Sequence, residues 1–181
     1  MWQRRRQSIG DGERVVKDVE RARERTMNRA VKLLAAKPRS VAELRQRLLE
    51  KLWTDETIVD GVIETLREYK YLDDEPFARD LAVSKLRQKP QGRRRLQQTM
   101  SQKQLDNATI AAAVSEAFET LPEEKLIDEA IQKRLRLKGK PETRDDRKKF
   151  FDHLLRLGFS YDLIHDKTST MNKCVRDEPT E

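Results

Sequence analysis

A chain of 181 residues with 39% charged and only 36% apolar side chains cannot fill one large central core; several small cores suit the supply better. Only 6 glycines and 6 prolines leave too little turn chemistry for a many-stranded sheet, and a lone cysteine, Cys174, excludes an internal disulfide or a CxxC metal site. With no long apolar run and a net charge of +7, the composition points to a cytoplasmic helical protein without a membrane span and with a polyanionic partner.

Residues 1–25 hold 8 basic and 5 acidic side chains and are expected to form a basic, mobile arm, with an amphipathic stripe of Val15, Val16, Val19 and Ala22 that offers the alternative of a continuation of the first helix. The opening run Met1–Arg6 is basic, but no apolar segment follows it, so it does not read as a secretory signal. Beyond the arm, Pro38, Pro90 and Pro141 stand 52 and 51 residues apart and punctuate a repeating helical array. With Ser40, Gly92 and Asp146 as reference points, four positions on come Leu44, Leu96 and Phe150, and eight on come Leu48, Met100 and Leu154. Thirteen on are Trp53, Leu105 and Phe159, and eighteen on are Ile58, Ile110 and Ile164. Position fourteen is Thr54, Asp106 or Ser160, each suited to cap a helix N-terminus. Apolar residues four apart share a helix face, so each unit is a helix, a tight turn and a second helix. A longer helix precedes each pair, near 26–36, 75–88 and 123–137.

The expected architecture is therefore all-α: three tandem three-helix repeats over 26–73, 74–120 and 121–168 in an elongated, curved array, followed by a disordered tail at 169–181.

No catalytic constellation emerges. His153 and His165 lack further ligands at metal spacing, the glycines form no phosphate-cradling loop, and the pair Asp73-Asp74 reads as a helix cap before Pro76. Neither enzyme activity nor a cofactor or metal is expected. The charge map is more informative. Between Leu81 and Leu105 there is no acidic residue, while Lys85, Arg87, Lys89, Arg93, Arg94, Arg95 and Lys103 are present. If Leu96 and Met100 face the core, Gln91, Arg94, Arg95, Gln98 and Gln102 point outward, with Arg93 at the boundary. Guanidinium and amide groups without counter-charge suit phosphate and base contacts. A second basic run, which includes Arg144, Arg147, Lys148 and Lys149, is diluted by Glu142, Asp145 and Asp146. The middle repeat also replaces Leu49 and Leu155 by Ser101, which narrows its apolar stripe.

Tyr71-Leu72-Asp73-Asp74 followed by Phe77-Ala78 resembles the signature of the RecX family, regulators of the RecA recombinase. Ser40-Val41-Ala42-Glu43-Leu44, Gly92-Arg93 and Gly158-Phe159-Ser160 are similar to further family elements and occur in family order, over roughly residues 26–166. Family glycines are missing at Leu52-Trp53 and at Gln104-Leu105, so these two turns are expected to be built differently, and Tyr69-Lys70 stands where Gly is commoner in the family. The resemblance implies a non-enzymatic monomer that lies in the groove of the RecA filament on single-stranded DNA. It would limit filament extension, ATP hydrolysis, strand exchange and co-protease activity, and so act in recombination, DNA repair and the SOS response. Single-stranded DNA, and duplex DNA through its phosphates, would be partners beside RecA. The alternative is a helix-turn-helix transcriptional regulator.

Overall fold

The computed structural model describes residue 16 and residues 18–173; among these it contains nine helices and no strand. They fall into three triplets: α1 Val19–Ala36, α2 Val41–Leu49 and α3 Glu56–Glu68; α4 Asp74–Gln88, α5 Arg93–Ser101 and α6 Asn107–Thr120; α7 Glu123–Lys138, α8 Arg144–Arg156 and α9 Tyr161–Lys173. The chain gathers into two compact units, one reaching Phe77 and including Lys103–Leu105, the other made of Ala78–Gln102 and the chain from Asp106 onward.

In the first unit α1, α2 and α3 pack on one another around Ala30, Leu44, Leu48, Val59, Val62, Leu66 and Leu72. α1 begins at Val19 rather than near Thr26, because Asp18 caps it by accepting the Arg21 N–H at 3.0 Å. Residues 19–25 of the expected arm are therefore helical; its remainder, apart from residues 16 and 18, lies outside the described residues. Small residues four apart, Ala22, Thr26 and Ala30, form the buried face of α1. Inside that face the Thr26 hydroxyl donates to the Ala22 carbonyl at 2.8 Å and meets the Thr54 hydroxyl at 3.0 Å.

Thr54 is thus a buried partner of α1 and not the cap of α3. That cap is Asp55, whose carboxylate accepts the Ile58 N–H at 2.8 Å. Counted from the cap, Val59, completely buried, aligns with Ile110 and Ile164 of the other repeats, and Ile58 beside it is buried as well. Asp106 and Ser160 do cap α6 and α9.

The inter-helix turns differ in length. They span 50–55, 102–106 and 157–160, and only the shortest contains a glycine, Gly158, at φ +89°. Gln104 enters the left-handed region without being glycine, at φ +57°, and Lys70 does the same at φ +58° after α3. At Lys70 the payoff is visible: Tyr71 N–H reaches the Leu66 carbonyl at 2.9 Å, closing the last turn of α3 in a Schellman arrangement.

In the second unit α5 packs on α6, while α7, α8 and α9 pack among themselves. Leu96, Met100, Ile110, Val114, Phe118, Ile127, Phe150, Leu154, Phe159 and Ile164 are buried. α8 starts a turn before the Asp146 reference: Thr143 is its N-cap and Asp146 answers it in a capping box. Leu155 is itself exposed, so the column holding Ser101 in the middle repeat is not core in the third. α9 runs to Lys173, so 169–173 are helical rather than tail; residues 174–181 lie outside the described residues. No described helix is long and apolar enough to cross a membrane.

Candidate nucleic-acid interface

Helix α4 buries Ala78, Ala82 and Leu86, four residues apart, which leaves Arg87 and Lys89 exposed and Lys85 half-buried. Arg87 joins Arg79, Asp80, Val83, Ser84 and Gln88 on one wall of a groove of about 620 Å³ whose other wall is Ala113, Glu116, Ala117 and Thr120 of α6, with Arg79 paired to Glu116 at 3.9 Å. Helix α5 buries Leu96 and Met100 and turns Arg94, Arg95, Gln98 and Gln102 to solvent.

Gln91 departs from this face. It is 5% exposed, because it lies ahead of α5 and not on it, in a segment pressed against the α8–α9 turn. There the Gly92 N–H donates to the Leu157 carbonyl at 2.9 Å. A Cβ on Gly92 would stand 2.2 Å from the Gly158 carbonyl oxygen, and one on Gly158 would stand 2.5 Å from Arg95 Cβ. Two glycines far apart in the chain thus permit one close backbone approach.

Gly92 brings no capping side chain to α5. The Glu123 carboxylate serves instead, accepting the Arg93 N–H at 3.1 Å and pairing with the Arg93 guanidinium at 3.3 Å. That guanidinium also lies 4.6 Å from the Phe118 ring centroid, so Arg93 is structural. Arg95 Nη1 donates to the Arg156 carbonyl at 3.2 Å, and Arg94 has no acidic partner among the described residues. Lys103, by contrast, pairs with Glu43 at 3.4 Å in the first unit.

The arginines of α2 show what the same helix looks like when neutralised. Arg45 is held by Asp60 at 2.7 Å and Glu56 at 3.3 Å, which push its guanidinium pKa upward, and Arg47 pairs with Glu50 at 3.2 Å. The exposed guanidinium of Arg94 therefore distinguishes α5 from α2.

A second group of cations converges where the sequence offers no local hint. His153 of α8 is half-buried, and its pKa is lowered first by that burial and then by Arg134, Arg156 and Lys89, contributed by α7, α8 and the segment after α4. Arg156 donates to the Asp152 carbonyl at 3.2 Å while its own carbonyl receives Arg95. Lys89 and Arg95 thereby belong to one positive neighbourhood with Arg134, a member of the second basic run, and with His153 and Arg156, which the sequence did not single out as ligands for an anion.

Arg144, Arg147, Lys148 and Lys149 are all exposed on the first turns of α8. Lys149 pairs with Asp145 at 3.8 Å, and Arg147 donates to the Glu142 carbonyl at 3.2 Å. Asp146 has its carboxyl pKa lowered by hydrogen bonds from Thr143 and by Lys149. Acidic groups favour this helix N-terminus, so the run is partly self-compensated.

The signature residues do structural work. Leu72 is buried, Tyr71 is 74% exposed, and Phe77 is half-buried. Asp73 caps α4, its carboxylate accepting the Glu75 N–H at 3.0 Å, while Asp74 accepts the Val41 N–H at 2.9 Å at the start of α2. Adjacent carboxylates thus cap two different helices. Among the described residues there is no group of three or more His, Cys, Asp or Glu that could hold a metal ion.

Three-helix units in tandem, the middle one turning Arg94, Arg95, Gln98 and Gln102 to solvent, define a helical-repeat protein. Residues 27–66 match the first three-helix domain of RecX and residues 73–114 the second. The chain is 33% identical over 140 residues to the regulatory protein RecX of Prosthecochloris aestuarii, covering 77% of this chain and 89% of that one. It is 32% identical over 138 residues to that of Chlorobium limicola, covering 76% and 83%. The crystal structure of RecX from Lactobacillus salivarius shares the fold with a TM-score of 0.74 at 19% identity, over 84% of this chain and 98% of that one. The chain belongs to the RecX family of regulatory proteins.

Proposed function

We propose that this chain regulates the RecA recombinase by binding in the groove of the RecA filament on single-stranded DNA. It limits filament extension and with it ATP hydrolysis, strand exchange and co-protease activity, in the cytoplasm, as a monomer without cofactor or bond chemistry. Family membership points to the regulator; the observation that carries the mode of action is the exposed α5 face of Arg94, Arg95, Gln98 and Gln102. A polymer offers such a face many phosphates, and contacts that are weak singly add through multivalency. The helix-turn-helix alternative would place its base readers on the last helix of a unit. In the middle unit that helix, α6, exposes Ala111, Ala112, Ser115, Glu116 and Glu119, which favours the filament reading.

The test is RecA's hydrolysis of ATP on single-stranded DNA. Purified protein is expected to suppress it at substoichiometric ratios to RecA. Unchanged hydrolysis at saturating protein rejects the proposal, as does binding that discriminates one duplex sequence by about 10³-fold at physiological salt.

A further inference from the structure

The first unit contains a recess of about 350 Å³ bordered by Arg25, Asn28, Arg29 and Lys32 of α1 and by Trp53 of the α2–α3 turn. Helical spacing puts the four α1 side chains along one side. The Arg25 guanidinium lies 4.5 Å from the centroid of the Trp53 ring, and Lys51 Nζ lies 5.4 Å from it. Two of these lining side chains carry buried donors, Arg29 Nε and Trp53 Nε1, without a hydrogen-bond partner among the described residues. Folded proteins rarely leave such groups unsatisfied, because each has given up water for nothing. No carboxylate lines the recess, and Arg25, Arg29, Lys32 and Lys51 have no ion-pair partner among the described residues.

We infer that this recess is a second contact for single-stranded nucleic acid, with a backbone phosphate on Arg29 and Trp53 Nε1 and an unstacked base on the outer face of Arg25. The chemistry narrows the choice. Both orphaned groups are donors, so the occupant is an acceptor; four neighbouring cations make it an anion. One carboxylate leaves most of that charge uncompensated, whereas a phosphodiester chain supplies a charge at every nucleotide. Arg25 is exposed and has one face on Trp53, so its other face is a flat cationic platform of the kind single-stranded bases use. An acidic peptide has no use for that platform, and a duplex keeps its bases stacked. The inference deepens the filament reading by giving the strand a place outside the α5 face.

Trp53 is its own reporter. The chain has 2 tryptophans, so Trp2→Phe leaves Trp53 as the sole source of indole emission. In that background an oligothymidylate is expected to change the emission saturably and less at higher salt. Lys32→Gln, at an exposed position, and Arg29→Gln are each expected to weaken the effect severalfold and to reduce the slope of log affinity against log salt by about one. Arg25→Lys keeps the charge and the salt slope but lowers affinity by removing the platform. Circular dichroism of each variant checks that helicity is retained. An unmoved emission with oligothymidylate overturns the inference. So does an equal response to oligoglutamate, which would make the recess a peptide site, or to inorganic phosphate at matched charge, which would make it an isolated oxyanion pocket. No RecA is present in this assay, so its failure leaves the ATPase result standing, and loss of ATPase suppression with the emission change intact overturns only the filament reading.

Discussion

His153 carries the pH behaviour of the basic neighbourhood. Burial and the surrounding cations depress its pKa below the ordinary 6.5, so the folded protein prefers the neutral ring. The stability this brings is complete above the unfolded value and is lost as pH falls through 6.5 towards the depressed value, where the unfolded chain binds the extra proton. His153→Gln is expected to flatten that decline in chemical denaturation measured from neutral to mildly acidic pH. A phosphate seated beside the cluster reverses the electrostatics and draws a proton on, so nucleic-acid binding should tighten over the same window in wild type and lose that component in the variant. Backbone conformation sets two further expectations. Lys70→Gly and Gln104→Gly relieve left-handed strain and should be neutral or stabilising by up to about 1 kcal/mol. Gly92→Ala, which drives a methyl into the Gly158 backbone, should cost about 1–3 kcal/mol in thermal melting.

At the level of the helix, burial and binding separate by face. Leu44→Ala and Phe150→Ala remove side chains from the buried stripes of α2 and α8 and should each cost about 2–5 kcal/mol. Arg94→Glu with Arg95→Glu should weaken nucleic-acid or filament binding; both lie on the exposed face of α5, so Arg94→Glu should shift stability by less than about 0.5 kcal/mol, while Arg95→Glu, which also loses the bond to the Arg156 carbonyl, should cost about 1 kcal/mol. Those stripes were legible because apolar residues four apart mark one helix side whatever surrounds them: Leu44 and Leu48, Leu96 and Met100, Phe150 and Leu154 all proved buried. The helical start at Val19 was legible only as an alternative, since Val19 and Ala22 extend the stripe of the first helix, while Asp18 as its cap and the burial of Thr26 emerge only from the structure. Gln91 was misplaced by extending helix geometry ahead of Gly92. Thr54 looked like a cap because its side chain suits one, and only its bond to Thr26 reveals otherwise. Trp53 occupies a core column by spacing, yet it lines a recess and keeps a buried, unpartnered indole N–H; no periodicity separates those fates.

Across the whole chain, the net charge of +7 sums over faces that differ in kind. The α2 arginines pair with neighbouring carboxylates, the start of α8 carries its own acids, and the Arg94 side chain has no acidic partner among the described residues. Such a distribution predicts that suppression of RecA falls steeply with ionic strength, and that the Arg94→Glu, Arg95→Glu variant shows a shallower salt dependence than wild type. Inhibition titrated across a salt series reads this directly; a salt-independent effect would refute the electrostatic mode of docking. Convergence of Lys89, Arg134 and Arg156 on His153 was beyond the reach of local patterning, because the residues come from three separate parts of the chain.

The adjacent carboxylates Asp73 and Asp74 have a dynamic corollary. Asp74 lies 33 positions after Val41 in the chain, yet it holds that residue's amide while Asp73 holds the amide of Glu75. Fraying of the first turn of α4 removes both acceptors together, so the Val41 and Glu75 amides should exchange with solvent deuterium through one shared opening, with matching protection. A short acidic step in the chain thereby ties the local breathing of two helices that are distant in sequence.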